Sequence, residues 1–250
     1  MSGHSKWAGI KHKKAIVDAK KGKEFTKVAN MISVAAKQGG SDPKMNFSLR
    51  LAMDKAKAVN MPATNVERAI KRGTGELGGV APEELIYEGY GPSGVAVLVE
   101  AMTDNRNRTA SEVRSTFSKH GGNMAEAGAV AYMFEQKGQI NISPENQTID
   151  KDTLELAIMD SGANDFEYVG NSLIVYTKKT DLQSVKEFLE LNNIKTDETE
   201  MSYIPKNEVR VTDEVTAKKI MKLLDGLEES EDVTAVHANF DISEEILEKI

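Results

Sequence analysis

The segment Lys6-Trp7-Ala8-Gly9-Ile10-Lys11-His12-Lys13-Lys14 joins the only tryptophan of the chain to four lysines and a histidine. Lysine ammonium groups displace the counterions condensed on phosphates, an indole stacks on an unpaired base, and His12 donates to phosphate or stacks as well. The chemistry on offer is capture of a polyanion. In the other reading of the same residues, Trp7 and Ile10 anchor the arm on a neighbouring domain and leave the lysines in solvent; both can hold together. Lys20, Lys21, Lys23 and Lys27 carry the charge into the next helical stretch. Arg68, Lys71 and Arg72 place cations at the end of another, where they also complement a helix C-terminus.

A second concentration of polar chemistry is Thr103-Asp104-Asn105-Arg106-Asn107-Arg108-Thr109, a strand-to-helix connection. Arg106 and Arg108 fork onto phosphate or a rigid RNA backbone in one reading; in the other, Asn105, Asn107 or Thr109 caps the helix, Thr109 with Glu112 as a capping box. The nucleic-acid-binding candidates are therefore Lys6, Trp7, Lys11, His12, Lys13, Lys14, Lys20, Lys21, Lys23, Lys27, Arg68, Lys71, Arg72, Arg106 and Arg108.

Constellations for catalysis are weak. No glycine-rich phosphate loop ends in Lys-Ser/Thr, and Ser41-Asp42-Pro43-Lys44 matches Ser-x-x-Lys without its companion motifs. His4, His12, His120 and His237 are dispersed, and there are no cysteines. The sequence predicts no catalytic residue, metal, cofactor or small-molecule substrate. Its first residues lack the apolar stretch of a signal peptide, and no apolar run approaches the ~20 residues of a membrane span. A soluble cytoplasmic protein with no membrane partner is expected.

The charge divides sharply. Residues 1–73 hold 16 Lys/Arg against 5 Asp/Glu, a balance of +11, and the other 177 residues carry −18. A basic module joined to an acidic body reads as a footprint for a polyanion, or else as a lysine-rich solvated surface.

Residues 22–38 place Phe25, Val28, Ala29, Ile32, Ala35 and Ala36 at helical spacing and stop at Gly39-Gly40, the first glycine suited to the left-handed cap. Asp42-Pro43 offers a cap and first-turn proline for a second helix, and Thr64-Asn65-Val66-Glu67 a capping box for a third ending at Arg72-Gly73. Gly73 to Gly79 reads as a glycine-rich hinge. Strands follow near 84–90, 94–102 and 128–135, with a helix from about 108 to 119 that exits at Gly121-Gly122. Strand 138–143, helix 151–161, strands 164–169 and 172–178, helix 181–192 and strand 197–204 spell βαββαβ, a ferredoxin-like unit. Strand 207–212, helix 213–227 and strand 233–240 then supply partners to the earlier strands. The fold class is α+β in three domains: a basic helical domain with its arm (1–79), a discontinuous α/β ferredoxin-like domain (80–135 and 205–250), and an inserted ferredoxin-like domain (136–204).

The chain resembles the YebC/PmpR family, which includes the mitochondrial translational activator of cytochrome c oxidase subunit I. The resemblance covers essentially the whole length. It rests on Gly3-His4-Ser5-Lys6-Trp7 with Ile10-Lys11-His12-Lys13-Lys14, on Tyr87-Glu88-Gly89-Tyr90-Gly91-Pro92, on residues 103–109, and on Phe117-Ser118-Lys119-His120-Gly121-Gly122-Asn123. Ser93-Gly94 stands where members commonly have Gly-Gly, and Ala125-Glu126-Ala127-Gly128 where they have Gly-Glu-Thr-Gly; both departures bear on turns. The resemblance implies a helical N-terminal domain and two α/β domains. It also implies one of two functions: transcriptional regulation through promoter DNA, or translation on the ribosome, helping elongation through proline-rich stretches. The sequence lacks a helix-turn-helix with a reading helix rich in Arg, Asn or Gln, and its arm suits irregular RNA better than groove readout. Ribosomal RNA is thus the favoured partner, promoter DNA the alternative, and a protein-binding adaptor using the acidic domains the third reading.

Overall fold

Apolar residues recurring every three or four positions fold Lys21–Gly39 into α1, Phe47–Ala58 into α2 and Ala63–Gly73 into α3. The computed structural model describes residues 21–247, which fall into two compact units: residues 21–133 with 207–247, and residues 134–206. Val28, Ile32 and Ala35 of α1 meet Leu49, Ala52 and Ala56 of α2 and Ala69 of α3 in one apolar core. Small residues let α1 and α3 approach closely, and Ser33 Oγ donates to the Ala69 carbonyl at 2.8 Å.

Gly73, expected as part of a hinge, is instead a buried contact of α3. A Cβ there would lie 2.2 Å from the Ser33 carbonyl oxygen, a backbone atom with nowhere to go. Gly73→Ala should therefore destabilise the protein by about 2–3 kcal/mol, a fall of roughly 5–10 °C in Tm by calorimetry.

Among these three helices, three boundaries differ from the sequence expectation. The second glycine of the pair, Gly40, takes the left-handed conformation (φ +85°), its amide donating to Ala36. α2 starts late because Asp42 closes a turn on the Lys44 amide, leaving Asn46 as the cap that accepts from Leu49. Asn46 also donates to the Ala35 and Gly40 carbonyls, so one side chain fixes the whole connection. α3 begins at Ala63 after Pro62, with no side-chain cap; Thr64 already lies within the first turn.

Along the remaining chain come β1 (Glu83–Tyr90), β2 (Ala96–Thr103), α4 (Arg106–Lys119) and β3 (Asn123–Met124). Next are β4 (Phe134–Ile142), α5 (Lys151–Asp160), β5 (Asp165–Val169), β6 (Ser172–Lys178), α6 (Leu182–Leu191) and β7 (Glu198–Pro205). The chain continues with β8 (Val209–Val211), α7 (Glu214–Glu228), β9 (Val233–Ala238), β10 (Phe240–Ile242) and α8 (Glu244–Leu247). The α+β class expected from the sequence is the one observed.

In the first unit the strands form an antiparallel sheet in the order β3-β1-β2-β9, with β1 and β2 in register from Glu83↔Thr103 to Tyr90↔Ala96. The turn between them holds Ser93 at φ 59°, a left-handed position at the site where the resembling family commonly has glycine. α4 packs on β1 and β2, α7 on β9, and α1 lies against β2 and β9. Val113 and Phe117 of α4 and Ile220, Leu223, Leu224 and Leu227 of α7 are buried. His237 on β9 sits 2.6 Å from Glu100 Oε1 on β2, a cross-strand pair inside this layer.

Two expected strands are corrected. Residues 128–133 do not extend as a strand, because their amides turn to the carboxylate of Glu88. β8 does not join the large sheet either. It pairs in parallel with β10, because Asn239 folds back to hold Ala96 (its Oδ1 accepts from the Ala96 amide at 2.6 Å) and diverts the chain away from β2.

In the unit of residues 134–206 the order β5-β6-β4-β7, all antiparallel, with two helices completes the ferredoxin-like arrangement. Leu154 and Ile158 of α5 and Val185 and Leu189 of α6 are buried with Ile140, Ile142, Leu173 and Val175. Asp150 caps α5 by accepting from the Thr153 amide at 3.0 Å.

Candidate nucleic-acid interface

Lys6, Trp7, Lys11, His12, Lys13, Lys14 and Lys20 lie outside the described residues, and Lys21 is the first residue of α1. The next two lysines have internal partners. Lys23 Nζ donates to the Glu229 carbonyl at 3.0 Å and Lys27 Nζ to the Glu228 carbonyl at 2.5 Å. Those carbonyls close the C-terminus of α7, where orphan acceptors and the helix dipole both favour cations. Arg72 also works internally, donating to Asn30 Oδ1 at 3.1 Å and to Asp104 at 2.8 Å. Asn30 in turn donates to the Met102 carbonyl, so α1, α3 and the end of β2 are tied by one polar chain.

Arg68 and Lys71 differ: they are exposed one turn apart on α3. Lys37 in the last turn of α1, Lys44 in the connection to α2, and Lys57 on α2 are exposed as well, Lys57 as the outer half of a surface pair with Asp54 at 3.1 Å. The sequence reading passed over these three, although the +7 balance of residues 21–73 already contained them. Between Lys37 and Lys57 the connection is rigid, with Arg50 donating to the carbonyls of Pro43 and Lys44 at 3.0 Å each. It presents Met45, 85 % exposed, beside Lys44.

In the 103–109 connection, Asn105 is the cap, accepting from the Arg108 amide at 3.1 Å, so α4 starts earlier than expected and carries both arginines in its first turn. Arg106 is 68 % exposed, with Nε 3.4 Å from Glu83. Arg108 turns its fork onto Asp232, Nη2 lying 3.0 and 2.9 Å from the two carboxylate oxygens. Thr109 Oγ1 donates to the same carboxylate at 2.7 Å. Asp232 is buried (8 %), while the Arg108 side chain keeps 48 % of its surface exposed. Lysine cannot reproduce a fork, so Arg108→Lys should cost about 1–2 kcal/mol, whereas Arg106→Lys should stay within about 0.5 kcal/mol. Parallel urea titrations of the two variants measure this.

Glu88 is a second buried, multiply bonded carboxylate of the first unit. It is 5 % exposed and accepts from the amides of Gly128 (2.6 Å), Val130 (2.7 Å) and Ala131 (2.7 Å). Burial alone pushes its pKa up, but the three N–H donors outweigh that and hold the carboxyl below its ordinary range. One side chain thereby shapes the segment between β3 and β4.

Among the described residues no group of three His, Cys, Asp or Glu side chains is placed to hold a metal ion. No described helix is long and apolar enough to cross a membrane. The site that remains is a set of exposed cations on short helices, with Arg106 exposed at the start of α4.

Residues 5–76 match the model of the TACO1/YebC protein N-terminal domain, and residues 82–240 that of the TACO1/YebC second and third domain. A "probable transcriptional regulatory protein" of Halothermothrix orenii is 52 % identical over 250 residues, covering 100 % of this chain and 99 % of that one. One of Persephonella marina with the same description is 49 % identical, with 100 % of both chains covered. The crystal structure of a conserved hypothetical protein from Aquifex aeolicus superposes with a TM-score of 0.89 at 48 % identity, covering 96 % of this chain and 98 % of that one. Matches of this extent, across both family models and over whole chains, establish that this chain belongs to the TACO1/YebC family.

Proposed function

We propose that the protein is a non-enzymatic, cytoplasmic nucleic-acid-binding factor that engages ribosomal RNA as a translation factor, easing elongation through proline-rich stretches. The observation that carries the nucleic-acid part is the outward set Lys37, Lys44, Lys57, Arg68 and Lys71 on a module whose balance over residues 21–73 is +7. Cations held at the surface of short helices neutralise a phosphate backbone without reading base edges, and that matches the positioning contacts of RNA binding better than groove readout. The arm adds Trp7 for stacking and Lys11, Lys13 and Lys14 for phosphate. Arg106 supplies a further exposed fork on the α/β part. The proline-rich-stretch role rests on the family resemblance.

A second reading, a promoter-binding transcriptional regulator, is favoured by the description of the relatives as probable transcriptional regulatory proteins. Crosslinking in cells, followed by sequencing of both bound RNA and bound DNA, separates the two. Enrichment of ribosomal RNA is expected. Reproducible promoter peaks sharing a DNA motif, with ribosomal RNA at background, would reverse the ranking.

A further inference from the structure

The unit of residues 134–206 carries 14 Asp/Glu against 7 Lys/Arg, and its helix α5 is apolar on two sides. Leu154 and Ile158 face inward. On the outer stripe, spaced by four, three and one, stand Asp152, Leu156, Met159 and Asp160. Leu156 is 59 % and Met159 57 % exposed, so two large apolar side chains share one solvent-facing stripe. Beside Met159 lies a shallow groove of about 230 Å³ lined by Ile158, Met159, Ala163, Asn164, Asp165 and Phe166. That is room for one leucine- or methionine-sized side chain.

The single cation of α5 does not neutralise this face. Lys151 lies 3.6 Å from Glu155 and 4.5 Å from the centre of the Tyr168 ring, and the Tyr168 hydroxyl donates to Glu155 at 2.9 Å. Among the described residues no cation forms an ion pair with Asp152, Asp160 or Asp165. A nucleic acid or an anionic membrane is repelled there, and a cationic chain is drawn in.

We propose that the outer face of α5 and the adjoining groove dock a lysine- and arginine-rich segment of a partner protein, anchored by one apolar side chain beside Met159 and Leu156. The apolar anchor supplies affinity and the three aspartates supply selection, the division of labour expected of a small recognition site. This is a protein-binding function on a unit that the nucleic-acid reading leaves without a task.

The test uses the full chain and three fluorescent 12-residue peptides, of mixed Lys and Leu, of mixed Lys and Ser, and of mixed Glu and Leu, in an anisotropy titration. The Lys/Leu peptide should bind about tenfold more tightly than the Lys/Ser peptide, and the Glu/Leu peptide should not bind. Leu156→Ser with Met159→Ser should lower Lys/Leu affinity about tenfold at unchanged circular dichroism. If that variant does not fold, the ¹³C-methyl signal of Met159 in the unaltered chain serves instead, and it should move on titration with the Lys/Leu peptide. Equal binding of the Lys/Leu and Lys/Ser peptides, unchanged affinity in the folded double variant, or a stationary Met159 signal would each overturn the proposal. Self-association abolished by the same variant, or RNA binding weakened by it, would overturn it too, by assigning the face to a second copy or to nucleic acid.

Discussion

Glu88→Gln should lower stability by about 3 kcal/mol and Tm by roughly 6–12 °C, the larger of the single-residue effects expected in this chain. Three backbone amides converge on the carboxylate, Val130 and Ala131 on Oε2 and Gly128 on Oε1, and an amide side chain that keeps its oxygen for the first two turns its own donors toward the Gly128 amide. Each buried N–H left without an acceptor costs about 1–3 kcal/mol. The loss should be local first, with hydrogen-exchange protection falling at Gly128, Val130 and Ala131 before it falls in β2 or α7. The same geometry sets a pH dependence. Because the folded-state pKa of Glu88 is depressed, its contribution is fully present above the ordinary value of 4.5 and is lost as pH falls through the folded value. Melts of the parent and Glu88→Gln should therefore converge as the pH drops below about 4.5.

The second large effect is on binding. Replacing Lys37, Lys44, Arg68 and Lys71 together by glutamine should weaken RNA binding on the order of a hundredfold at low salt, and flatten the log–log salt slope by about 0.7 unit per lost contact on a single strand. All four side chains are exposed, so Tm should hardly change. Adding Lys11→Gln, Lys13→Gln and Lys14→Gln should flatten the slope by a further two units or so, if arm and helices grip one strand. A quadruple variant with the parental slope would remove the helical face from the account.

How much of this was legible depended on whether the partner lay nearby in the chain. The inserted βαββαβ order was readable because its strands and helices alternate within seventy-odd residues, each with its own period. Helix α1 was readable for the same reason. Cap choice was less so: Asp42, Asn46, Pro62 and Thr64 are all admissible starts, and tertiary bonds from Asn46 to Ala35 and Gly40 decided between two of them. Long-range partners were invisible. Nothing near Lys23 or Lys27 announces that their ammonium groups close a helix some two hundred residues later, and nothing near Arg108 announces Asp232. Glu88 was read only as part of a family motif, and the strand expected at 128–135 failed because three of its amides belong to that carboxylate. The candidate site was thus overcounted where cations have internal acceptors, and undercounted at Lys37 and Lys44, which stand among ordinary surface residues of a helix end and a connection.

The central claim is that the basic helical module, residues 1–73, is where nucleic acid is held. Photocrosslinking of the full chain to RNA, with the crosslinked nucleotides located on peptides by mass spectrometry, reads this directly. The account predicts adducts on peptides from residues 1–73, led by the arm around Trp7 and by the stretches holding Lys44 and Arg68 to Lys71, with a minor set around Arg106. Adducts confined to residues 134–206, with peptides from residues 1–73 recovered unmodified, would contradict it.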